Sequence, residues 1–417
     1  MTKTIAIIGA GIVGVSTAIW LQRDGFDVVL IDREGPAAGA SQGNAGLLAS
    51  CACIPVTGPG LIRKAPGMLL DPEQPLFLKW GYLPKLMPWL VKFLSNANAE
   101  DTRRIASAVA GVVGDSLNDH LALASGTGAE KWIEPCDYAF AYPDRAAYDK
   151  DAFGFALRRD NGFEWDELEG DSLRAWEPAL SRELNFAARF SDHGRIGSPG
   201  DYVRDLAAHF EAQGGRVIRA EVEDVVRADG HVTGVRAGGE TLPCDAVVLT
   251  AGVWSGPLAR KLGYKIPLEA ERGYHVELWE PSYMPRSPMM ITSGKFVATP
   301  MKGRLRLAGV VELGGTKAGF SRAPLELLKQ NIATAFPDLE WKHMTEWMGF
   351  RPSTPDSIPV IGELPGLKGA YTGFGHQHIG LTAGPKTGRL LAQMIAGRQP
   401  NLDMTAYDPS RFLRAQN

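Results

Sequence analysis

The stretch from Thr4 to Asp32 restricts the fold more than any other part of the chain. Thr4-Ile5-Ala6-Ile7-Ile8 is a short β-branched run, the composition of a buried parallel strand. It leads directly into Gly9-Ala10-Gly11-Ile12-Val13-Gly14, where each glycine has a separate steric task. The first permits a tight turn, the second lets a pyrophosphate approach the backbone, and the third lets a helix pack close to the strand. Ile12, Val15, Ile19 and Leu21, with small Ala18, suit a helix lying on a sheet, and Asp24-Gly25 stops it. Asp27 to Asp32 then reads as a second strand. Asp32 falls 18 residues past Gly14, where a carboxylate accepts hydrogen bonds from a ribose 2′-hydroxyl. The order of these pieces predicts a dinucleotide-binding βαβ unit and leaves NAD and FAD both open.

At 417 residues the chain exceeds one simple core and predicts two or three domains. Apolar residues at 45% and charged residues at 22% describe a soluble globular enzyme, and a net charge of −3 gives no reason to expect a nucleic-acid partner. Cys51, Cys53, Cys136 and Cys244 are too few and too scattered for a disulfide framework. Cys51 and Cys53 would share one face of a strand, as a redox pair or half of a metal site. No second Cys or His cluster completes such a site, so reduced thiols and no metal are expected. The N-terminal apolar run is the first strand, not a secretory signal, and a cytoplasmic location is the default.

Further along, residues 33–46 form a small-residue loop with little bulk, placed where the second half of a dinucleotide would extend. Between Pro55 and Asn98, Trp80, Tyr82, Trp89 and Phe93 alternate with Lys79, Lys85 and Lys92. No apolar run there reaches 18 residues, and Pro84 and Pro88 would break a span. Helical packing is the expected use of these aromatics, and anchoring at a membrane surface is the alternative. Ala99 to Leu123 has helical spacing. Ser198-Pro199 opens a helix reaching Gln213, Arg216 begins a strand, and Val222–Val226 with His231–Arg236 form a hairpin. Asp245 to Thr250 is a buried strand ending in Ala251-Gly252-Val253-Trp254-Ser255. Alternation in Tyr274–Leu278 and Arg304–Ala308 predicts an antiparallel sheet with one wet face. Pro324 opens another helix, residues 349–362 are a rigid proline-rich segment, and Ala370–Thr372 leads through residues 373–380 into a last helix, Leu381 to Ala396.

Four of these blocks together resemble the FAD-dependent amine and amino-acid oxidoreductases, the group that includes D-amino-acid oxidase, glycine oxidase, sarcosine oxidase and bacterial D-amino-acid dehydrogenase. They are the N-terminal fingerprint, Ser41 with Asn44-Ala45-Gly46, the Ala251–Ser255 turn, and Arg351-Pro352 through Gly362 followed by Gly375-His376 to Thr382. The ending and the aromatic region look most like the dehydrogenase branch. The resemblance implies an α/β fold with an added antiparallel sheet, in which a Rossmann-like FAD-binding domain (1–54, 194–260 and 346–417) is interrupted by a substrate domain (55–193 and 261–345). It implies that Gly9, Gly11, Ile12, Val13 and Gly14 hold the pyrophosphate and Asp32 with Arg33 the ribose side. Val222 would serve adenine, and Ser41, Asn44, Ala45, Gly46 and Leu47 the flavin end. Ala251, Gly252 and Trp254 would line the cofactor, and Gly375, His376, Gln377, His378, Ile379, Gly380, Leu381 and Thr382 would set a helix N-terminus against the flavin pyrimidine, where charge develops on reduction.

On the substrate side the resemblance assigns Arg351 to the carboxylate, and Pro352 makes its fork rigid. Tyr274 would close the pocket or bind the carboxylate, with core packing as the alternative, and His376 and His378 stand at the flavin edge. Glycine oxidase has an arginine near this position that is absent here. The reaction implied is hydride transfer from an amino-acid Cα to flavin, with oxygen or a quinone as final acceptor. Gly349 occupies the place of the cysteine that binds flavin covalently in some relatives, so noncovalent FAD is expected. The alternatives are a secondary amine such as D-hydroxyproline, proline or sarcosine, an NAD enzyme, and a noncatalytic subunit. Contact with the inner face of the cell membrane is the alternative to a purely cytoplasmic location.

Overall fold

The computed structural model describes residues 2–70 and 75–413. Strand Thr4–Ile8, helix Ile12–Arg23 and strand Asp27–Asp32 form as the sequence predicts. The two strands run parallel, with Ile5 beside Val28 and Ile8 beside Ile31. They belong to a six-stranded sheet of order Val360–Glu363, Ala370–Phe374, Ala246–Leu249, Thr4–Ile8, Asp27–Asp32, Arg216–Arg219. Only the edge pair Val360–Glu363 with Ala370–Phe374 is antiparallel.

Both faces of this sheet are covered, which is why its strands are apolar throughout. Ile5 and Ile7 share a core with helices Ile12–Arg23, Pro199–Ala212 and Gly380–Ile395. Ala6 and Ile8 face Val225, Val232 and Val235 of a three-stranded sheet that contains the expected hairpin. The first and last of these helices touch closely at two glycines. A Cβ on Gly388 would lie 2.7 Å from the Thr17 nitrogen, and one on Gly384 would lie 2.8 Å from Ile12 Cγ1. The helical stretch after Ala99 breaks in two, Ala99–Val113 and Ser116–Ala124.

A ten-stranded sheet carries the second half of the fold. Its main path is His343–Ser353, Glu269–Trp279, Arg304–Leu313, Phe296–Met301, Met289–Ile291, Ile133–Tyr142, Phe186–Ile196 and Leu47–Leu48. The expectation of one wet face is overturned here, because Glu269–Trp279 and Arg304–Leu313 are buried along nearly their whole length. Tyr274, Val276 and Leu278 pack in one core with Leu325, Leu328 and Ile332 of helix Ala323–Ala335. The alternate residues Glu269, Glu271, His275 and Glu277 are buried as well. The alternation therefore marks a buried polar face, not a solvated one.

Strand His343–Ser353 runs across the expected boundary at 345/346, and Phe186–Ile196 runs across that at 193/194. Arg351 thus belongs to the antiparallel sheet, and the first residues of the proline-rich segment are strand. Pro352 is tolerated because this strand is at the sheet edge, where a missing N–H breaks no ladder.

In the aromatic region, helix Leu83–Ser95 turns Leu86, Trp89 and Phe93 inward, with the Trp89 and Phe93 rings stacked 4.7 Å apart. Its other side exposes Met87 and Val91, beside an exposed Trp80. Residues 71–74 of this stretch lie outside the described residues. Among the described residues no helix is long and apolar enough to cross a membrane, and no group of three or more His, Cys, Asp or Glu is placed to hold a metal. Cys51 and Cys53 are free and buried, and burial pushes their thiols up to about 12 and about 11.

Candidate active site

One cavity of about 760 Å³ connects the glycine turn to the antiparallel sheet, within the range of small-molecule sites. Gly9, Gly11, Ile12, Val13, Asp32, Arg33, Ser41, Asn44, Ala45, Leu47, Val222, Ala251, Gly252 and Trp254 line it, as do residues 376–382. Gly14, Gly46 and Gly375 are not among its lining residues. A Cβ on Gly14 would overlap the Gly9 carbonyl oxygen, so this glycine serves helix packing. Gly46 and Gly375 adopt φ of 74° and 86°, and a Cβ on them would lie 2.6 Å from Met301 Cε and 2.8 Å from Thr354 Cγ2.

The local bonding shows how the cradle is held. Asp32 accepts the N–H groups of Ala10 (2.9 Å), Glu34 (2.8 Å) and Gly35 (2.9 Å). A carboxylate has about four acceptor positions, so Asp32 first fixes its own turn and retains room for a ribose hydroxyl. The Arg33 guanidinium lies 4.0 Å from the Trp254 ring centroid and closes the wall there. Ser41 Oγ accepts the Ile12 N–H at 3.0 Å at the start of the first helix, which leaves the serine proton to donate to an anionic oxygen.

At the other end, the loop 42–46 is clamped to the antiparallel sheet. Arg306 donates to the carbonyls of Gln42 and Asn44, and His275 Nδ1 donates to that of Gly43 at 3.1 Å. Gly43 has no room for a Cβ because the Trp347 ring covers it. Arg304 Nε and Arg306 Nη2 each meet Glu277 Oε1 at 2.6 Å. Burial alone would raise Glu277, but Arg306 and Arg304 outweigh it and hold the carboxyl at about 2. Burial brings Arg306 down to about 10 despite Glu277, because one carboxylate serves two guanidinium groups.

The last helix begins beside this loop with no side-chain cap. Its first carbonyls are fixed from outside: Ser116 Oγ donates to Thr382 at 2.9 Å, and His120 Nε2 donates to Leu381 at 2.9 Å. Thr382 Oγ1 donates to the Leu47 carbonyl at 3.2 Å and ties helix to loop. A glycine turn, a helix start and a small-residue loop on one elongated cavity fit an extended dinucleotide whose flavin lies at the second helix start.

On the sheet side, Arg351 and Glu271 are cross-strand partners, yet they form no ion pair. Glu271 accepts Ser353 Oγ at 2.6 Å, and burial raises its carboxyl while Ser353 and Arg351 draw it down. Arg351 instead lies across Gly273, where a Cβ would sit 2.7 Å from its Cζ. It donates a long hydrogen bond to the protein, from Nη1 to the Val310 carbonyl at 3.4 Å. Most of this fork is left for a ligand. Burial lowers His376 and His378 to about 4, with the Arg351 charge as a second cause for His378. Both are neutral at physiological pH. His376 Nε2 is 2.9 Å from Thr387 Oγ1 and serves the last helix, while the His378 side chain is exposed and borders the cavity.

Tyr274 borders the cavity, but its hydroxyl donates to Glu312 at 2.7 Å and accepts from Arg272 at 3.2 Å. Its hydroxyl is thereby engaged by Glu312 and Arg272, and its ring packs in the core with Val276 and Leu278. Several lining residues carried no signal in the sequence: Glu271, Trp347, Tyr138, Phe140, Arg158 and Met290. Alternation from Arg351 would place Trp347 and Gly349 on its face once the strand is known, whereas the others come from distant segments.

The family model described as FAD dependent oxidoreductase matches residues 4–394. The chain belongs to this family of FAD-dependent oxidoreductases. The alternative of an NAD enzyme is thereby excluded. A protein named D-amino-acid oxidase from Bradyrhizobium diazoefficiens is 38% identical, over 99% of both chains. One named D-amino acid dehydrogenase from Allorhizobium ampelinum is 29% identical, over 98% of both. Glycine oxidase from Geobacillus kaustophilus shares the fold with a TM-score of 0.75 at 22% identity, covering 98% of this chain and 99% of that one. The flavoprotein fold and the FAD cofactor read from the sequence are thus correct.

Proposed function

We propose that this oxidoreductase deaminates a D-amino acid oxidatively, giving a 2-oxo acid and ammonia. The observation that carries the reading is the Arg351 fork, released from its strand partner and presented inside the cavity that also holds the dinucleotide cradle. Bound FAD supplies the two-electron acceptor. Arg351 binds the substrate carboxylate in two parallel hydrogen bonds, and Glu271 on the same wall offers a carboxylate to the amino group. The α-hydrogen leaves as hydride from a substrate so fixed, and the imino acid hydrolyses. Neutral His376 and His378 add no positive charge of their own to the site at neutral pH. Positioning and charge do the main work. The names of both sequence relatives support the D-amino acid, and a secondary amine is the alternative substrate. Anaerobic bleaching of the flavin's visible absorption by D-amino acids, and not by L-amino acids, proline or sarcosine, is the expected result. Bleaching by secondary amines alone would replace the substrate, and bleaching by nothing in the panel would favour a noncatalytic subunit.

FAD is held without a covalent bond. Gly349 offers no thiol, and the Trp347 ring covers the place where its side chain would begin. Acid precipitation is expected to leave the yellow colour in the supernatant, and a yellow pellet would refute this.

A second observation bears on the electron acceptor. Trp80, Met87 and Val91 are exposed beside Lys85 and Lys92. This apolar and basic face supports peripheral contact with an anionic membrane and transfer to a quinone, whereas the relative named as an oxidase supports oxygen. Co-sedimentation with anionic vesicles, lost in a Trp80→Ser and Val91→Ser double variant, is the expected result. Absence of wild type from the vesicle pellet would remove the membrane contact.

A further inference from the structure

We infer that Arg158 forms a second anion-binding subsite in the same cavity, one that takes the side-chain carboxylate of an acidic D-amino acid. The inference rests on the function proposed above. Four arginines are buried among the described residues: Arg158, Arg272, Arg304 and Arg306. Three of them hold a carboxylate, Arg272 that of Glu312 and the other two that of Glu277, each at 2.6 Å. Arg158 holds none. Its Nε donates to the Cys51 carbonyl at 3.3 Å, and its Nη1 is buried with no partner. Asp151, at the start of the helix Ala152–Asp160 that carries Arg158, accepts the Tyr142 hydroxyl on Oδ2 at 2.9 Å, and its Oδ1 stands beside Gly154 with Arg158 Nη1 without forming an ion pair. The guanidinium rests instead on the Phe140 and Phe155 rings, 4.4 and 5.0 Å from their centroids. A buried cation without a counter-charge is costly, and this one lines the cavity.

Its position relative to Arg351 sets the ligand's length. The Arg351 guanidinium has crossed the Glu269–Trp279 strand to reach the Val310 carbonyl on Arg304–Leu313. Arg158 lies over Phe140 on Ile133–Tyr142. Three strand spacings separate those two strands, roughly 14 Å. Two guanidinium forks gripping a five-carbon dicarboxylic acid need roughly 13 Å between them, from normal charge-assisted distances. Between them Ala308, Val297, Met290 and Phe140 stand in one register row and line the cavity, an apolar floor for methylene groups. D-Glutamate and D-2-aminoadipate fit this span, and D-aspartate is short.

The test measures kcat/KM of the holoenzyme for D-glutamate and for D-norvaline, and then of Arg158→Met and Arg158→Lys. Wild type is expected to prefer D-glutamate by at least about tenfold, and Arg158→Met to lower the D-glutamate to D-norvaline ratio by roughly 30- to 100-fold, with partial recovery in Arg158→Lys. D-norvaline consumed as well as or better than D-glutamate by wild type would overturn the subsite and leave the proposed function standing. No turnover of either would overturn both. Should Arg158→Met fail to fold, calorimetric titration of wild-type holoenzyme decides: glutarate binding at least about tenfold tighter than butyrate supports the subsite, and equal binding refutes it.

Discussion

Arg351→Met is expected to lower kcat/KM for the preferred D-amino acid by on the order of 10³-fold while the protein still purifies with FAD. Two charge-assisted hydrogen bonds to the carboxylate are lost, and with them the orientation of Cα, so both binding and alignment contribute. Arg351→Lys keeps the charge but not the planar fork, and a loss of roughly 10- to 100-fold is expected. The guanidinium makes a single long bond to the protein, at 3.4 Å, and Glu271 is already held by Ser353. Removal of Arg351 therefore disturbs little of the surrounding fold. Steady-state kinetics with the flavin spectrum as a control measures this. A kcat/KM within threefold of wild type would show that the carboxylate is held elsewhere.

The parts of this molecule that were legible in the sequence are those where a local steric demand recurs at fixed spacing. Gly9, Gly11 and Asp32 could be placed because a turn, a close backbone approach and a strand end follow one another within one unit. The helix starts at Pro199 and Gly380 were legible for the same reason. Whether Tyr274 serves the pocket or the core was not legible, because both faces of its strand are buried and a residue in such a strand gives no sign of which face it takes. The neighbouring Gly273, with no side chain to attract notice, is what seats Arg351. Gly14 and Gly375 satisfied a motif, but a glycine reports lack of space without saying what fills it. Glu271, Arg158 and Phe140 reach the cavity only through pairings across many residues, and no local pattern anticipates those.

The second large effect is expected at a residue that touches neither cofactor nor substrate. Glu277→Gln is expected to cost about 3 kcal/mol or more of stability and to weaken FAD binding. Glu277 is the single counter-charge for two buried guanidinium groups, and its Oε2 also accepts Thr345 Oγ1 at 3.1 Å. Glutamine keeps an acceptor but leaves Arg304 and Arg306 to repel each other without compensation. Arg306 is the clamp on the Gln42 and Asn44 carbonyls, so its displacement loosens the loop at the flavin end. The pH dependence has a definite sign. The folded carboxyl lies at about 2, below its ordinary 4.5, so its contribution is complete above about pH 4.5 and is lost as pH falls through about 2. The difference between wild type and Glu277→Gln should accordingly be constant from pH 5 to 8 and shrink only under strong acid. Urea unfolding of both proteins, with FAD affinity from fluorescence, measures this, and Glu280→Gln is the control because Glu280 pairs with Lys342 at the surface. Equal urea midpoints for wild type and Glu277→Gln would mean that the two arginines find other partners, and the loop would then owe its position to His275 and Trp347 instead.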